Sequence, residues 1–406
     1  MCRHGAVPSV TDMTTPSTEP TPARTTEPAG RPQRIHGLDA LRCGALLLGI
    51  VLHAFVPFIA AQPWFFHDRY GSVGLAETNF VIHSFRMMLF MTLAGYFGAL
   101  MLDRRGAQRY VRDRAKRVLL PMIAFWPVAV FPLGLLALMF ASTHPGASQP
   151  EVTDPLVMFG PGQLWFLLVL MECIVITVAV RALLIRFIGR ERTSAFSERM
   201  ATLFSSRAGV LVASVPYIVA VVIQGKPMSG IIEPATIIPE AAPLAGYLGA
   251  FSVGWALRRG SGALAGIGKD WAAYLVVGAI SLSIMLIAQG QVPLPIGAAL
   301  VALGGWCVTY GLVGVCMRFL TRPRPAIRYL ADASYWMYLM HLPIVVAIGM
   351  SLADLALPVA VKLLITLVAS SATLLLTYQL LVRRTPIGAW LNGREHRWRN
   401  AERRVP

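Results

Sequence analysis

Charged side chains are scarce in this sequence. Asp, Glu, Lys and Arg together supply 14% of the 406 residues, whereas hydrophobic residues supply 56%. A typical soluble domain is about one quarter charged, so the composition excludes an ordinary water-soluble enzyme. Apolar segments of membrane-spanning length recur along the chain instead. We therefore predict an all-α protein, a polytopic membrane helix bundle that lies in a lipid bilayer.

Cysteine is also rare, and its spacing forms no motif. The five cysteines include no CxxC pair, so the sequence predicts neither a disulfide framework nor a metal site. The sequence also lacks a repeat of the kind found in inverted-repeat transporters. Because no separate polar segment is long enough for a soluble catalytic domain, any chemistry must take place within the helix bundle.

Acidic residues are outnumbered by basic ones. The chain has 36 Lys and Arg against 20 Asp and Glu, a formal net charge of +16. Such an excess can indicate a nucleic-acid partner, but here the basic residues are spread over short segments between apolar runs. That distribution is what membrane orientation requires, and we predict no nucleic-acid partner.

Three parts of the chain differ in composition. Residues 1–33 are rich in Thr, Pro, Ala and Ser and are predicted to form a disordered cytoplasmic leader. Residues 34–382 carry the apolar segments of the membrane domain, and residues 383–406 form a basic cytoplasmic tail. A cleaved signal peptide is the alternative for the first apolar run, but losing that run would invert half of the later basic loops across the membrane.

About ten membrane spans are predicted, with both termini cytoplasmic. In this arrangement 32 of the 36 Lys and Arg lie in inner segments, and only Arg69 and Lys226 lie in outer loops. The bias predicts a multi-pass protein of the cell membrane with short outer loops. The spans are placed at about 40–60, 79–102, 118–141, 163–185, 208–224, 243–257, 271–289, 294–317, 332–352 and 358–382.

Three ionisable side chains are predicted to lie at a similar depth in separate spans. His53 lies in the first span, Arg86 in the second and Glu172 in the fourth. Ionisable groups inside a membrane are costly and usually functional, so we predict a catalytic site in which Glu172 orients the His53 imidazole and Arg86 holds an oxygen. His83, one turn from Arg86, is assigned to the same pocket. The alternatives are a structural ion pair between Arg86 and Glu172 and a packing role for His53.

The ninth span carries a polar stripe. Ser334, Tyr338 and His341 share one face of a helix, and with Trp165 of the fourth span they are the candidate substrate-binding residues. Lys362, near the outer end of the last span, is predicted to extend its ammonium group to the membrane surface.

The inner end of the bundle is strongly basic. Asp39 and Arg42 share a helical face with His53, and the loop at 103–117 carries seven cations against two aspartates. Arginine binds phosphate through paired hydrogen bonds, so this end is a candidate site for a phosphate-bearing ligand. The alternative is that the loop only sets the orientation of the chain.

Five segments, taken in order, resemble one known family. They are RxxxLDxxR from Arg34 to Arg42, SFRMMLFMTLAGYF, RAKRVLLP, LWFLLVL and SYWMYLMHLPI. Together with a histidine at His53 they resemble the acyltransferase-3 family of membrane acyltransferases, and within it the glucan biosynthesis protein C group. The resemblance covers about residues 34–382, nearly all of the membrane domain.

The resemblance implies O-acylation, such as O-acetylation, of a glycan. In that family an acyl group of acetyl or succinyl type moves from cytoplasmic acyl-CoA to an extracytoplasmic sugar or lipid. The resemblance places the catalytic histidine at His53 and the arginine motif at Arg114 and Arg117, which with Arg42 and Asp39 form the candidate acyl-CoA site. One departure is Ala94, where the family has serine.

Acyl transfer to a hydroxyl needs a base and a donor for the developing oxyanion. His53 supplies the base, or it is transiently acylated. The alternative from another class is a transporter or flippase for a lipid-linked or anionic substrate, in which His53, Arg86 and Glu172 form a relay. A scaffold without chemistry would leave the buried charges unexplained.

Overall fold

The computed structural model describes residues 35–393 apart from 61, 63, 145–154, 261 and 290. Within these residues all regular structure is helical and there is no strand, which confirms the all-α prediction. The predicted leader at 1–33 and the end of the predicted tail, 394–406, lie outside the described residues.

Fifteen α-helices are found in the described part of the chain, and several are joined by short 3₁₀ or π-helical turns. Their bounds are α1 His36–Phe55, α2 Val73–Arg105, α3 Ala107–Arg114, α4 Leu120–Thr143, α5 Pro155–Met158, α6 Trp165–Ile188, α7 Arg190–Ser205, α8 Gly209–Gln224, α9 Ala241–Leu257, α10 Ala263–Lys269, α11 Trp271–Ile287, α12 Leu294–Phe319, α13 Pro325–Leu352, α14 Val359–Thr377 and α15 Pro386–Asn392.

By the criterion of length and apolarity, fewer helices qualify as membrane spans than the ten that the sequence predicts. Over the described residues seven helices are long and apolar enough to cross a membrane, or up to nine if each of two bent helix pairs counts as one span. One bent pair is α7 with α8, at 98°, and the other is α10 with α11, at 66°. Each of the ten predicted spans overlaps a helix, but the count of ten and the cytoplasmic placement of the termini stay predictions.

Local sequence signals set several helix ends. The hydroxyl of Ser72 accepts a hydrogen bond from the backbone N–H of Leu75, at 3.4 Å, and caps the start of α2. Gly106, with φ of +76°, ends α2 and allows the chain to turn directly into α3. Pro325 occupies the first turn of α13, where its missing N–H costs no helical hydrogen bond.

Helix α1 packs against α2, α12 and α13. Two glycines bring α2 and α9 into backbone contact, because a Cβ at Gly95 would collide with the carbonyl of Phe251 and a Cβ at Gly254 with the carbonyl of Thr92. Small residues allow such close helix packing in membranes. The helices thus approach closely at Gly95, next to Ala94, which stands where the family has serine.

Lys362 is buried rather than extended to the membrane surface. Its side chain is 1% exposed, and its ammonium lies 2.7 Å from a carboxylate oxygen of Asp68, which is 2% exposed. The predicted snorkelling of Lys362 is wrong, because the loop between α1 and α2 supplies an acidic partner that hydropathy alone does not indicate.

Candidate active site

His53 lies in the last turn of α1, among aromatic side chains. Its ring stacks on Trp64 with centroids 5.7 Å apart and planes inclined by 10°, and it lies 5.1 Å from the ring of His341. The Nδ1 atom of His53 is buried and has no hydrogen-bond partner within the described part of the chain. Buried polar atoms are usually paired, so this atom marks a site where a polar ligand gains binding energy.

α13 holds His341 in a defined tautomer. The Nδ1 atom of His341 lies 2.7 Å from the backbone carbonyl of Tyr338. A carbonyl only accepts, so Nδ1 carries the proton and Nε2 keeps a free lone pair. The second imidazole beside His53 is therefore oriented by its own helix.

A proline in α13 explains why Gln163 contacts this region. Pro343 has no N–H and leaves the carbonyl of Leu339 without its usual helical donor. The side-chain amide of Gln163 donates to that carbonyl at 3.1 Å and to the carbonyl of Ala129 on α4, also at 3.1 Å. The Tyr338 hydroxyl donates in turn to the backbone carbonyl of Gln163 at 2.8 Å. These bonds fix α13 against α4 and the start of α6.

Arg86 lies on α2 with its guanidinium against α1. Arg86 is 8% exposed, and a Cβ added at Gly49 would collide with its Nη1 atom. Gly49 precedes His53 by four residues, so the two positions share one face of α1, one turn apart. The guanidinium and the imidazole therefore lie on the same side of α1, and Arg86 Nε is a further buried atom that lacks a partner among the residues described.

His83 lies near a carboxylate that the sequence did not indicate. Its Nε2 atom is 4.0 Å from Glu233, in the loop between α8 and α9. Gly230 of this loop has φ of +63°, and a Cβ there would lie 2.7 Å from His83 Nδ1. The loop thus approaches α2 closely because residue 230 is glycine.

Glu172 does not join this cluster. It is half-buried on α6, and it forms no ion pair or side-chain hydrogen bond with a described residue. One reason is packing: α6 lies mainly against α7 and α9, whereas α1, which carries His53, packs on α2, α12 and α13. Neither the predicted contact of Glu172 with His53 nor the alternative ion pair with Arg86 is found, and a catalytic role for Glu172 stays a prediction.

A small pocket lies beside His53. Trp64 and Phe58 form part of its wall near the imidazole, and the Asp68–Lys362 pair lies on its lining as well. A base and a pocket thus lie together at the end of the bundle where α1 ends.

The predicted basic site lies at the other end of α1. The Arg42 guanidinium donates to the carbonyl of Ala331 on α13 at 2.8 Å, and the hydroxyl of Ser334 donates to the same carbonyl at 2.8 Å. Ser334 thus lies towards the Arg42 end of α1, whereas His341, about two helical turns further along α13, lies beside His53. Asp39 lies in the first turn of α1, where a carboxylate is favoured by the helix dipole.

Arg114 and Arg117 lie close to the same turn of α13. Arg114 lies over the ring of Tyr110 at 5.7 Å, and Arg117 is part of the π-helical turn Ala115–Leu119. The hydroxyl of Tyr335 donates to the carbonyl of Arg117 at 2.7 Å. Buried Nε atoms of Arg42 and Arg114 have no partner in the described ranges, so this cluster suits an anionic ligand.

Several site residues were not predicted from the sequence. Trp64, Gln163 and Glu233 are not among the residues that the sequence predicts for the site. Trp165, predicted to bind substrate, packs instead on the ring of Tyr247 with centroids 5.4 Å apart. Trp64 and Glu233 lie in loops, where the sequence has no periodic pattern. Their positions at the site are therefore visible only in the folded chain.

The long apolar helices in the described part of the chain are those of a membrane protein. The acyltransferase-3 family model, described as an acyltransferase domain, matches residues 35–382. The chain belongs to this family, and the predicted resemblance and the prediction of an acyltransferase are confirmed at the level of the family.

Individual relatives match over a shorter segment. The chain is 32% identical over 141 residues to a protein named glucans biosynthesis protein C from Escherichia coli strain SMS-3-5 / SECEC. It is 31% identical over 141 residues to proteins of that name from Escherichia coli strain K12 and Shigella boydii serotype 4 strain Sb227. Each match covers 34% of this chain and 36% of the relative, little more than a third of its length. No solved structure matches the chain.

Proposed function

We propose that the protein moves a short acyl group, of acetyl or succinyl type, from cytoplasmic acyl-CoA to a hydroxyl of an extracytoplasmic glycan or glycolipid. The observation that carries this proposal is the placement of His53 and Arg86 on one side of α1, one turn apart, with a pocket beside the imidazole. A base and a cation in that arrangement suit acyl transfer.

In the proposed reaction His53 accepts the proton of the acceptor hydroxyl. The hydroxyl oxygen then forms a bond to the thioester carbonyl carbon, and the C–S bond breaks. The departing thiolate takes the proton from His53, so the imidazole ends as it began. Arg86 stabilises the negative charge that develops on the carbonyl oxygen.

The donor is proposed to bind at the arginine end of α1. The unpartnered Nε atoms of Arg42 and Arg114 fit the phosphates of a nucleotide-bearing thioester. Arg42 and His53 are eleven residues apart on one helix, about 16 Å along its axis. An acyl-CoA whose phosphates bind near Arg42 and whose thioester lies at His53 must therefore extend along the bundle.

The acceptor is inferred from the relatives. Their printed name refers to the biosynthesis of glucans, which supports a sugar hydroxyl as the acceptor. The proposed arrangement also needs the arginine end to face the cytoplasm and the His53 end to face outward. A topology reporter fused after Arg404 is then expected to report a cytoplasmic location, and an extracytoplasmic signal would contradict this orientation.

The activity is tested with purified protein in phospholipid nanodiscs. Acetyl-CoA or succinyl-CoA is added with a soluble glucan, and both free thiol and acylated glucan are measured. Acceptor-dependent thiol release is the expected result. Movement of glucan or glycolipid across vesicles, without release of thiol, would instead establish a transporter and overturn the proposal.

A further inference from the structure

A short helix at the end of the described chain packs beside the arginines of the proposed donor site. Helix α15, Pro386–Asn392, follows the last long apolar helix after a turn, and Gly393 ends it with φ of +67°. Neither the acyl-transfer chemistry nor the crossing of a bilayer requires this helix. Its contacts with the rest of the chain indicate a role at the donor site.

Three contacts attach α15 to the bundle. The indole N–H of Trp390 donates to the carbonyl of Lys116 at 2.8 Å, and the Trp390 ring stacks on Phe125 of α4 with centroids 6.1 Å apart. The side-chain amide of Asn392 donates to the carbonyl of Asp332 on α13 at 3.0 Å. The helix therefore bridges the π-helical turn that follows α3 and the first two turns of α13.

The part of α13 that α15 contacts also holds the donor-site arginines. Arg42 donates to the carbonyl of Ala331, the neighbour of the residue that α15 contacts. One turn further along α13, the Tyr335 hydroxyl donates to the carbonyl of Arg117. Helix α15 thus lies where two of the candidate phosphate-binding arginines converge.

The Arg117 side chain lies against the end of α15. A Cβ added at Gly393 would collide with the Nη1, Cζ and Nη2 atoms of the Arg117 guanidinium. The guanidinium therefore fills the space that a side chain at position 393 would occupy. Within the described part of the chain no hydrogen bond or ion pair of this guanidinium is found, so its N–H donors remain for a ligand.

Packing against a glycine thus sets the position of this guanidinium, as packing against Gly49 does for Arg86. A long arginine side chain loses conformational freedom when it binds a ligand, and that loss weakens binding. A guanidinium that is already held in place loses less. The glycine at the end of α15 therefore favours binding of an anion by Arg117.

We propose that α15 completes the acyl-CoA site and that Gly393 is a positioning residue, which holds the Arg117 guanidinium towards the phosphates of CoA. Arginine suits this ligand because it binds phosphate through paired hydrogen bonds. The inference rests on the proposed function for the identity of the donor, but binding of CoA requires no acyl transfer. Gly393 contacts no phosphate itself and acts through Arg117.

The test measures CoA binding by protein in phosphatidylcholine nanodiscs, from titration of the melting temperature with CoA. Gly393→Ala adds one methyl group, which displaces the end of the Arg117 side chain. Alanine at a positive φ is also strained, so the control is Gly225→Ala. Gly225 ends α8 with φ of +71°, and nothing lies within 4 Å of its Cβ position.

The wild type and Gly225→Ala are expected to bind CoA alike, and Gly393→Ala about tenfold more weakly. A double-mutant cycle identifies the cause. In an Arg117→Ala background there is no guanidinium to displace, so Gly393→Ala is expected to leave the apparent Kd for CoA unchanged there.

If Gly393→Ala does not fold, Asn392→Ala gives the same comparison. This variant removes the hydrogen bond that fixes the residue before Gly393 to α13. Weaker CoA binding is expected, and again only when Arg117 is present.

Three results would overturn the inference: equal CoA binding by the wild type and Gly393→Ala, an equal loss in Gly225→Ala, or an undiminished loss in the Arg117→Ala background. The two proposals fail separately. The expected pattern of CoA binding without thiol release would contradict the proposed acyl transfer alone, whereas acyl transfer with an acyl-CoA KM unchanged in Gly393→Ala would contradict the role of Gly393 alone.

Discussion

Arg86 reaches α1 at Gly49, one helical turn from His53, because residue 49 has no side chain. Gly49 takes no part in the chemistry, but its lack of a side chain makes the proposed active-site geometry possible. Moving the guanidinium would separate the base from the group that stabilises the oxyanion.

Gly49→Ala tests this relationship. The added methyl group would displace the end of the Arg86 side chain, and a small misplacement of a catalytic group costs about 10²-fold in rate. We expect turnover to fall by about that factor with the melting temperature preserved, since alanine favours helix over glycine.

Gly44→Ala is the matched control on the same helix, because nothing lies within 4 Å of the position of its Cβ. Equal turnover in the Gly49 and Gly44 variants would show that the position of Arg86 against α1 does not matter for activity.

Arg114→Ala tests the donor site. Loss of a hydrogen bond to a charged group costs about 1.5–3 kcal/mol, so the KM for acyl-CoA is expected to rise by about one to two orders of magnitude. The KM for the acceptor is expected to stay near the wild-type value. Arg109→Ala is the control, because Arg109 lies exposed on the same short helix. A similar effect of both variants would indicate a general loss of positive charge rather than a specific phosphate contact.

Glu172→Gln tests the prediction that Glu172 orients His53, a contact that the structure does not show. Glu172 contacts neither His53 nor Arg86, so we expect turnover within a few-fold of wild type. The comparison requires kinetics and melting temperatures of the same preparations. A large loss of turnover at an unchanged melting temperature would instead support a catalytic role for Glu172.

His144, just beyond the end of α4, gives a prediction about pH. Its Nε2 atom lies 3.0 Å from Asp354, and this hydrogen bond, with a second to the backbone of Phe140, raises the pKa of His144 above its usual value. The stabilising contact is then fully present below about pH 6.5, the ordinary histidine pKa, and is lost as the pH rises through the raised pKa.

NMR titration of labelled histidine, assigned with a His144→Gln variant, is expected to show a midpoint above the ordinary value. Asp354→Asn should move that midpoint down. A midpoint that does not respond to Asp354→Asn would refute the contact in solution.

The helices were predictable because the length and apolarity of a segment are local properties. His53 and Arg86 were correctly placed together by their common depth. Depth does not specify which helices are neighbours, and for that reason Glu172 was assigned to a cluster that it does not join. The side on which a helix packs is decided by close contacts such as those at Gly49 and Gly95.

The remaining site residues depend on contacts between distant segments. Asp68 and Lys362 are separated by 294 positions in the chain, and Lys362 alone resembles an ordinary lysine at a helix end. Glu233 and Trp64 lie in loops, where no periodicity indicates which way a side chain points. These residues were therefore beyond prediction from one sequence.

The most direct test of the account is the turnover of His53→Gln, measured as acceptor-dependent release of CoA thiol. Glutamine keeps polarity and approximate size but does not act as a base near neutral pH. The expected loss of turnover is about 10²-fold to 10⁴-fold, with acyl-CoA binding and melting temperature close to wild type. Near-normal turnover in a well-folded His53→Gln protein would contradict the central claim and leave His53 as a packing residue.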